Sequence, residues 1–338
     1  MTWNWSTQSL AILAAFLARH GIGNGTEQPA VVPIGDGHSN LTYKVSVGAQ
    51  AVVLRRPPPP PLPVGSNDVL REARIISALG QTGFPVPRVI ATGQAGELFD
   101  VPFYVMSLVD GDVVTIAMPD RFRAPDRIAQ VGFELVGVQA ALHRTDWQAI
   151  GLGTLGKPEG FNARHVRRMA GLMTQDDCAA HPAFLELGSW LEANCPAESG
   201  AALIHNDCRI GNVMWARGDV PRIAAVLDWE LATIGDPLLD LAYTLSSLPR
   251  DGACRTAVQD LAAACADPAL PAPGALIAHY AQLTGKTPAS LGWYMAMVNW
   301  KLAILYGYSR RKGMDAYYND DTHLPRFLAE ARFHAGLA

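Results

Sequence analysis

Hydrophobic and polar residues alternate with a period of two along the first third of the chain. The segment 31–47 predicts two strands around a Gly-containing turn, and the segment 51–56 predicts a third strand antiparallel to them. Apolar runs at 84–91 and 103–109 predict two further strands. We therefore expect a five-stranded sheet within the first 108 residues.

Elsewhere the apolar residues recur every three or four positions, which predicts helices. Helices are expected near 7–18, between 66 and 79, and, after Gly111, at 124–143, 162–174, 183–194 and 292–306. The pattern predicts an α+β fold with two lobes. The N-terminal lobe, residues 1–108, has a small antiparallel β-sheet and one helix, preceded by an N-terminal helix within 1–25. The C-terminal lobe, residues 109–338, is larger and mainly helical.

Composition narrows the class of protein. The 338 residues are 49% hydrophobic and 17% charged, as in an ordinary globular chain, and the net charge of -4 argues against a nucleic-acid partner. The five cysteines form no C-x-x-C pair, which argues against a zinc site or disulfide framework and favours a reducing, cytoplasmic location. The apolar run 10–18 is too short to span a bilayer, and no Lys or Arg precedes it, so no membrane partner is expected.

Polar residues that can carry chemistry lie between apolar runs in the second half of the chain. His205, Asp207 and Asn212 stand between the runs 202–204 and 213–215, in the pattern H-x-D-x-x-x-x-N. Asp228 follows the apolar residues 225–227. Phosphoryl transfer needs a carboxylate to orient the attacking hydroxyl, oxygen ligands for Mg²⁺ and a cation for the nucleotide phosphates. These residues supply the first two, and their hard oxygen donors suit Mg²⁺.

The cation is expected from Arg55, which ends a predicted strand. Arg55 shares a strand face with Val53, whereas Arg56 points to the opposite face. Glu72 lies in the first half of the next predicted helix. Between two lobes lies the usual place for a ligand cleft, where these stretches could converge. The order Arg55, Glu72, Asp207, Asn212, Asp228 favours a phosphoryl-transfer enzyme.

The chain resembles the aminoglycoside phosphotransferase family, which shares the fold of protein kinases and has choline and homoserine kinases among its relatives. The resemblance rests on 205–212, which is similar to the family's catalytic loop, and on 223–242, which is similar to its metal-binding segment. The segments 39–43, 54–57 and 103–106 resemble a subgroup that includes the kinase-like domain fused to acyl-CoA dehydrogenases. The resemblance covers roughly residues 30–315 and implies a protein-kinase-like fold.

The resemblance also implies roles for single residues. Asp207 would be the catalytic base, and Asn212 with Asp228 would hold Mg²⁺. Arg55 would take the place of the nucleotide-binding lysine, and Glu72 would be its helix partner. ATP and Mg²⁺ are therefore the expected cofactors.

Further positions are expected at the edges of the site. Met106 to Leu108 would form the hinge whose backbone meets the adenine, and Ser39 and Asn40 lie beside the Gly turn expected over the phosphates. Glu230 is open between a metal or substrate contact and a helix cap.

Two residues are expected to support the catalytic loop rather than to react. His205 is interpreted as holding the loop in place, and Asp240 as anchoring it. The chain departs from the family at Arg55, where Lys is usual, at Asn206, where Gly is common, and at Cys208, where an aromatic residue is common. Arginine and lysine are both cations, but the planar guanidinium of Arg55 reaches phosphate oxygens differently from an ammonium. Neither Asn206 nor Cys208 removes a group that the reaction needs.

The acceptor is expected to be the hydroxyl of a small molecule. The region after residue 240 is rich in aromatic residues, Met, Lys and Arg, which favours an apolar or anionic acceptor, such as a hydroxyacyl thioester, over a polycationic antibiotic. Alternatives are an aminoglycoside or a choline- or homoserine-type kinase, and a catalytically inactive, kinase-like nucleotide-binding module. A protein kinase is disfavoured because no A-P-E signature is found. Exposed Trp or Tyr side chains in the last helices could serve a homodimer.

Overall fold

The computed structural model describes residues 5–35, 40–60, 67–250, 255–313, 316–320 and 322–337. The chain divides into two compact units. Unit 1 contains residues 1–110 and 225–230, and unit 2 contains residues 111–224 and 231–338. The segment 225–230 thus belongs with the N-terminal unit, although the sequence pattern placed it in the C-terminal lobe. The lobe boundary at residue 108 stays a prediction. So do nucleotide binding by the N-terminal lobe and the placement of the catalytic loop, the metal-binding loop and the acceptor site in the C-terminal lobe.

Unit 1 is built on an antiparallel sheet whose strand order is β1-β2-β3-β5-β4. Its elements follow the predicted order, although the strand predicted at 84–91 begins only at Val89. They are α1 (Thr7–Arg19), β1 (Ala30–Pro33), β2 (Leu41–Val47), β3 (Gln50–Arg56), α2 (Val69–Gly80), β4 (Val89–Gly93) and β5 (Phe103–Ser107).

One face of this sheet is buried against α1 because its side chains alternate. Tyr43, Val45 and Val47 on β2 are buried, and Lys44 between them is exposed. They pack in one cluster with Leu13 and Leu17 of α1. Side chains alternate between the two faces of the sheet along each strand. Every second residue of β3 therefore points to the opposite face, where the candidate site lies.

Helix α2 begins later than the sequence pattern suggested. The sequence predicts a start near Ser66 or Asn67. Ser66 lies outside the described residues, and Asn67 is not the first helical residue, since it takes a left-handed φ of 60°. Asp68 is the N-cap instead, because its side chain accepts a hydrogen bond from the Arg71 N–H. The helix then presents Glu72 from its first turn to the buried side.

Unit 2 is mainly helical, as predicted. Its helices are α3 (Pro125–His143), α4 (Phe161–Ala170), α5 (Gln175–Ala180), α6 (Ala183–Ala193), α7 (Pro237–Ser247), α8 (Ala257–Asp260), α9 (Pro273–Thr284), α10 (Leu291–Arg311) and α11 (His323–Ala335). Short strands connect them, namely β6 (Asp112–Val113), β7 (Ala202–Ile204), β8 (Val213–Trp215), β9 (Ile223–Val226), which runs into unit 1, and β10 (Thr233–Gly235).

Helix α7 lies at the centre of unit 2. All eleven of its residues are buried, including Asp240 and Thr244. It contacts α10, which in turn contacts α11, α6 and α4. In the described part of the chain, no helix has the length and apolar character that crossing a bilayer requires.

Candidate active site

In unit 1, Arg55 connects three carboxylates. Its Nε lies 2.9 Å from a Glu72 oxygen, and its Nη2 lies 2.6 Å from Asp228 Oδ1 and 3.9 Å from a Glu230 oxygen. A further nitrogen, Nη1, donates to Thr42 Oγ1 at 3.2 Å. The predicted Arg55–Glu72 pair is therefore formed, and Asp228 joins it.

The alternation of β3 explains why Arg55, and not Arg56, enters this group. Arg55 stands opposite Thr42 of β2 and Tyr104 of β5. Arg56 points to the other face, where its guanidinium is buried 4.6 Å from the centre of the Phe99 ring. Arg55 and Arg56 thus lie on opposite faces of β3, as predicted, and only Arg55 contacts the carboxylates.

The Arg55–Glu72 ion pair is largely withdrawn from water. Glu72 is 1% exposed, and its second oxygen accepts the backbone N–H of Trp229 at 3.2 Å. Burial raises the pKa of Glu72, and the charge of Arg55 opposes that shift. Burial alone would lower the pKa of Arg55, but Glu72 and Asp228 raise it above its ordinary value, so the guanidinium stays charged. Asp228 itself takes a left-handed φ of 64°.

Glu230 is held by groups of the same unit. Its carboxylate accepts a hydrogen bond from Asn40 Nδ2 at 2.9 Å, and Asn67 Nδ2 donates to Asn40 Oδ1 at 3.1 Å. Arg71 donates to the backbone oxygen of Glu230 at 3.3 Å. Asn67 and Arg71 had not been predicted at the site, and no spacing signal in the sequence singles them out.

Of the other residues predicted to contact the nucleotide, Met106 and Leu108 are described by the structure and Ser39 is not. Ser39 lies outside the described residues. Met106 is buried on β5, and Leu108 lies just beyond the end of that strand with 39% of its surface exposed. Their proposed role as a hinge stays a prediction.

In unit 2, two hydrogen bonds orient the Asp207 carboxylate, one from Asn212 and one from Tyr243. Asn212 Nδ2 donates to an Asp207 carboxylate oxygen at 2.8 Å and to the Asp207 backbone oxygen at 2.8 Å. The hydroxyl of Tyr243 donates to the other carboxylate oxygen. Arg209 Nε lies 3.6 Å from the same oxygen, and the Asp207 side chain remains 20% exposed. A carboxylate held in this way can accept the proton of a hydroxyl that approaches from the exposed side.

The turn before Asp207 is anchored by the fully buried Asp240. This carboxylate accepts the backbone N–H groups of His205 at 2.9 Å and Asn206 at 2.7 Å, and it lies 3.0 Å from His143 Nε2. Burial alone would raise the pKa of Asp240, but the hydrogen bond and charge of His143, with the His205 groups, lower it. His205 is itself fully buried, and its Nδ1 accepts the Asp207 N–H at 3.3 Å.

The backbone conformation explains the departure at Asn206. Asn206 takes a left-handed φ of 68°, a conformation that favours Gly and that Asn tolerates better than other residues. Its side chain also donates to the backbone oxygen of Leu231 at 3.0 Å. Asn at this position therefore satisfies the turn geometry that Gly would satisfy and adds a hydrogen bond.

The residues proposed for Mg²⁺ fit that ion by their chemistry. Among the described residues, no group of three or more His, Cys, Asp or Glu could hold a metal. Mg²⁺ suits a smaller set, since it keeps waters and binds one or two carboxylates together with substrate phosphates. The Asp228 side chain is 34% exposed. The Asn212 amide nitrogen faces Asp207, which leaves its Oδ1 available as a hard oxygen ligand.

Tyr243 had not been predicted at the site. It follows Asp240 by three positions on α7, so both side chains lie on one face of the helix. This spacing was visible in the sequence, but only the structure shows that the hydroxyl reaches Asp207. Burial, followed by the Asp207 charge, raises the pKa of Tyr243 well above its ordinary value, so the phenol remains a hydrogen-bond donor.

The family assignment follows from the sequence match. The chain belongs to the phosphotransferase enzyme family, whose model matches residues 30–276. It is 37% identical over 225 residues to acyl-CoA dehydrogenase family member 11 of Gallus gallus; the match covers 64% of this chain and 28% of that protein. The chain thus corresponds to less than a third of that relative's length.

Solved structures confirm the protein-kinase-like α+β fold. A candidate aminoglycoside phosphotransferase of Ralstonia eutropha superimposes with a TM-score of 0.78 at 26% identity, covering 99% of this chain and 98% of that one. A thermostable mutant of aminoglycoside phosphotransferase APH(4)-Ia, in complex with ADP and hygromycin B, superimposes with a TM-score of 0.61 at 17% identity; coverage is 96% and 98%. The predicted fold class and the predicted family are both confirmed.

Proposed function

We propose that the protein transfers the γ-phosphate of ATP to a hydroxyl of a small molecule, with Mg²⁺ as cofactor. The observation that supports this proposal most directly is the environment of Asp207. Asn212 and Tyr243 hold its carboxylate, and 20% of the side chain remains exposed to solvent. Membership of the phosphotransferase family supports the reaction class. The ADP complex of the structurally similar APH(4)-Ia supports an adenine nucleotide.

The residues divide the work between them. Asp207 accepts the proton of the acceptor hydroxyl, and the two hydrogen bonds on its carboxylate keep it aimed. Arg55, held by Glu72, supplies the cation for the nucleotide phosphates. Asn212 and Asp228 would hold Mg²⁺, which when bound neutralises negative charge on the phosphates. Asp240 keeps the turn before Asp207 in place through two backbone N–H groups.

The acceptor class is proposed to be a hydroxyacyl compound rather than a polycation. Helix α10 carries Lys301, Arg310 and Arg311, and cations of the protein oppose a cationic ligand. The relative from Gallus gallus is named for acyl-CoA, which is an acyl thioester. Aminoglycosides, choline and homoserine remain the alternatives within the same reaction class. No nucleic-acid or membrane partner is proposed, and a homodimer stays a prediction.

A second candidate function is nucleotide binding without turnover. The ion pair of 2.6 Å between Arg55 and Asp228 favours it, because a guanidinium held there competes for a carboxylate that Mg²⁺ needs. The two candidates separate in one assay: ADP release with ATP and Mg²⁺ in the presence of hydroxy acids, hydroxyacyl thioesters, choline and kanamycin. Acceptor-dependent ADP release supports the kinase, and nucleotide binding without any release supports the module.

Asp228→Ala is expected to abolish the Mg²⁺-dependent part of ATP binding, because the variant removes the carboxylate proposed to hold the ion. The measurement is a calorimetric titration of ATP with and without Mg²⁺. Asp100→Ala is the matched control, since Asp100 is an exposed carboxylate of the same unit. Identical Mg²⁺ dependence in Asp228→Ala and wild type would show that Asp228 does not bind the ion.

A further inference from the structure

Helices α4 and α10 of unit 2 bring together three nitrogen-bearing side chains that have no part in the mechanism above. His165 and Arg168 lie three positions apart on α4, and Lys301 lies in the middle of α10. The two helices are in contact, and Lys301 and Arg168 both act electrostatically on His165. We call these three residues the basic cluster.

The cations of the basic cluster lack a close counter-charge. Within the described ranges, no carboxylate lies within 4.0 Å of the Lys301 ammonium or of the Arg168 guanidinium. Burial lowers the pKa of Lys301 to about 8, although Asp207 and Asp240 favour its charged form. Lys301 is only 5% exposed, and keeping a buried ammonium charged without a close counter-charge costs free energy.

His165 adds a donor to the cluster. Arg168 Nη2 lies 3.2 Å from His165 Nδ1, and a guanidinium can only donate, so Nδ1 is the acceptor. Burial, with the charges of Lys301 and Arg168, keeps the pKa of His165 well below its usual range, so the ring is neutral. A neutral ring that accepts at Nδ1 carries its proton at Nε2. That nitrogen is buried, and it has no hydrogen-bond partner among the described residues.

The basic cluster adjoins the catalytic base through Tyr243. The Lys301 ammonium lies 5.5 Å from the centre of the Tyr243 ring, and the hydroxyl of the same ring donates to Asp207. One tyrosine side chain therefore spans the distance from the ammonium to the base. A ligand that touches both has only a few bonds between the group at Lys301 and the group at Asp207.

We propose that the basic cluster binds an oxyanion of the acceptor, so that the acceptor is a small hydroxy acid or a hydroxyl-bearing phosphate ester. The cluster offers only donors, and an oxyanion is an acceptor-only group that can satisfy them together. The anion rests against Lys301, Arg168 and His165 while the hydroxyl lies at Asp207. This assignment rests on the proposed transfer of phosphate to a small-molecule hydroxyl, and it favours a free hydroxy acid or a phosphate ester over the hydroxyacyl thioester considered above.

The first test measures binding and needs no turnover. Pentanoate, pentyl phosphate and pentanamide are titrated against the full chain by ligand-observed NMR. We expect at least one of the two anions to bind about tenfold or more tightly than the neutral amide, since charge-assisted hydrogen bonds are the stronger ones. Which anion binds better distinguishes a carboxylate from a phosphate ligand. Equal affinity for the anions and the amide would overturn the proposal.

The variants locate the binding. Lys301→Met and Arg168→Gln are each expected to weaken anion binding about 10- to 100-fold and to leave the amide unchanged. Arg167→Gln is the matched control, because Arg167 is the exposed neighbour of Arg168 on α4 and lies outside the cluster. Arg168 is exposed, so its variant is expected to fold even if Lys301→Met does not. Anion affinity that is unchanged in Arg168→Gln, or lowered equally in Arg167→Gln, contradicts the assignment.

A second test compares turnover on matched acceptors. Four- to six-carbon hydroxy acids are compared with their methyl esters and with hydroxyacyl thioesters, and ADP release is measured with ATP and Mg²⁺. The proposal expects KM to be lower for the free acid and to rise in Lys301→Met, with KM for ATP unchanged. If esters and thioesters are phosphorylated as well as the acids, the proposed function stands and the oxyanion site fails. If anions bind through Lys301 but no acceptor is phosphorylated, the oxyanion site stands and the proposed function fails.

Affinity for pentanoate is expected to fall as the pH rises through about 8, because Lys301 then loses its proton while the ligand stays ionised. The charged or titratable groups around the ammonium are Asp207, Asp240, Arg168, His165 and Tyr243. None of the cluster's other members titrates near pH 8, since arginine stays charged and His165 stays neutral. Lys301→Met should remove the pH dependence. A dependence that persists in the variant would assign it to another group.

The stability of Lys301→Met separates a binding lysine from a structural one. Because the folded protein depresses the pKa of Lys301, the charged form disfavours folding at neutral pH. Methionine of similar length removes that cost, so the variant is expected to raise the midpoint of thermal unfolding while it weakens anion binding. A variant that loses stability and binds anion and amide equally poorly would indicate a structural role only.

Discussion

Asp207→Asn is expected to lower the rate of phosphoryl transfer by about 10²–10⁴-fold, the usual contribution of a positioned general base. The amide is nearly isosteric, and its oxygen can accept from Asn212 while its NH₂ group donates to the Tyr243 hydroxyl, but it cannot take up the proton of the acceptor hydroxyl. ATP affinity should therefore remain close to that of the wild type. The measurement is the single-turnover rate with a phosphorylated acceptor, together with a nucleotide titration.

Two further variants make this experiment specific. Asp219→Asn removes an exposed carboxylate of the same unit and should leave the rate unchanged. Tyr243→Phe keeps the carboxylate but removes the hydroxyl that donates to it, so we expect a smaller loss than in Asp207→Asn. A full rate in Asp207→Asn would show that another group takes the proton.

The second large effect is expected on stability. Asp240→Ala should lower the free energy of unfolding by roughly 3–5 kcal/mol, because it leaves buried donors without a partner. These donors are the backbone N–H groups of His205 and Asn206 and the His143 ring. The measurement is denaturant unfolding of both proteins, with Asp219→Asn as the exposed control.

The pH dependence of that difference has a definite sign. The pKa of Asp240 is lower in the folded protein than in the unfolded chain, whose value is about 3.9. The carboxylate therefore stabilises the folded state above about pH 4, and this contribution is lost as the pH falls through the folded-state pKa. The gap between Asp240→Ala and wild type should be constant near neutral pH and narrow in strong acid. A gap that stays unchanged down to acid unfolding would show that the charge of Asp240 is not what stabilises the turn.

Activity gives an independent view of Asp240. Because it holds the turn that precedes Asp207, its loss should lower the transfer rate even under conditions in which the variant is still folded. Circular dichroism at the assay temperature establishes the folded fraction. A folded Asp240→Ala protein with a wild-type rate would show that the turn keeps its geometry without the anchor.

Local patterns were sufficient for the order of the elements and for the fold class. Alternation in 41–56 predicted the central hairpin, and the 3,4 spacing in 124–143 predicted α3, because burial of one face imposes a period that the sequence must repeat. The same alternation separated Arg55 from Arg56. The start of α2 was missed by one or two residues, since Ser, Asn and Asp can all cap a helix and the sequence offers them in succession.

The environment of each side chain could not be predicted in the same way. Tyr243 meets Asp207 and Lys301 approaches Tyr243 across separations of 36 and 58 residues in sequence, and no periodicity encodes such contacts. The burial of Lys301 is likewise a property of the packing of α10, because a lysine in an apolar helix pattern is ordinarily a solvated residue.

The sequence by itself determined the α+β, protein-kinase-like fold and the phosphotransferase family, because these rest on local periodicity and on motifs within short spans. Only the tertiary structure decided which groups surround the candidate base, that Asn206 fits a left-handed turn, and that Lys301 and Arg168 lie near the buried His165. The physical reason is that hydrogen bonds, burial and charge pairing depend on distances between remote segments, and only packing determines those distances.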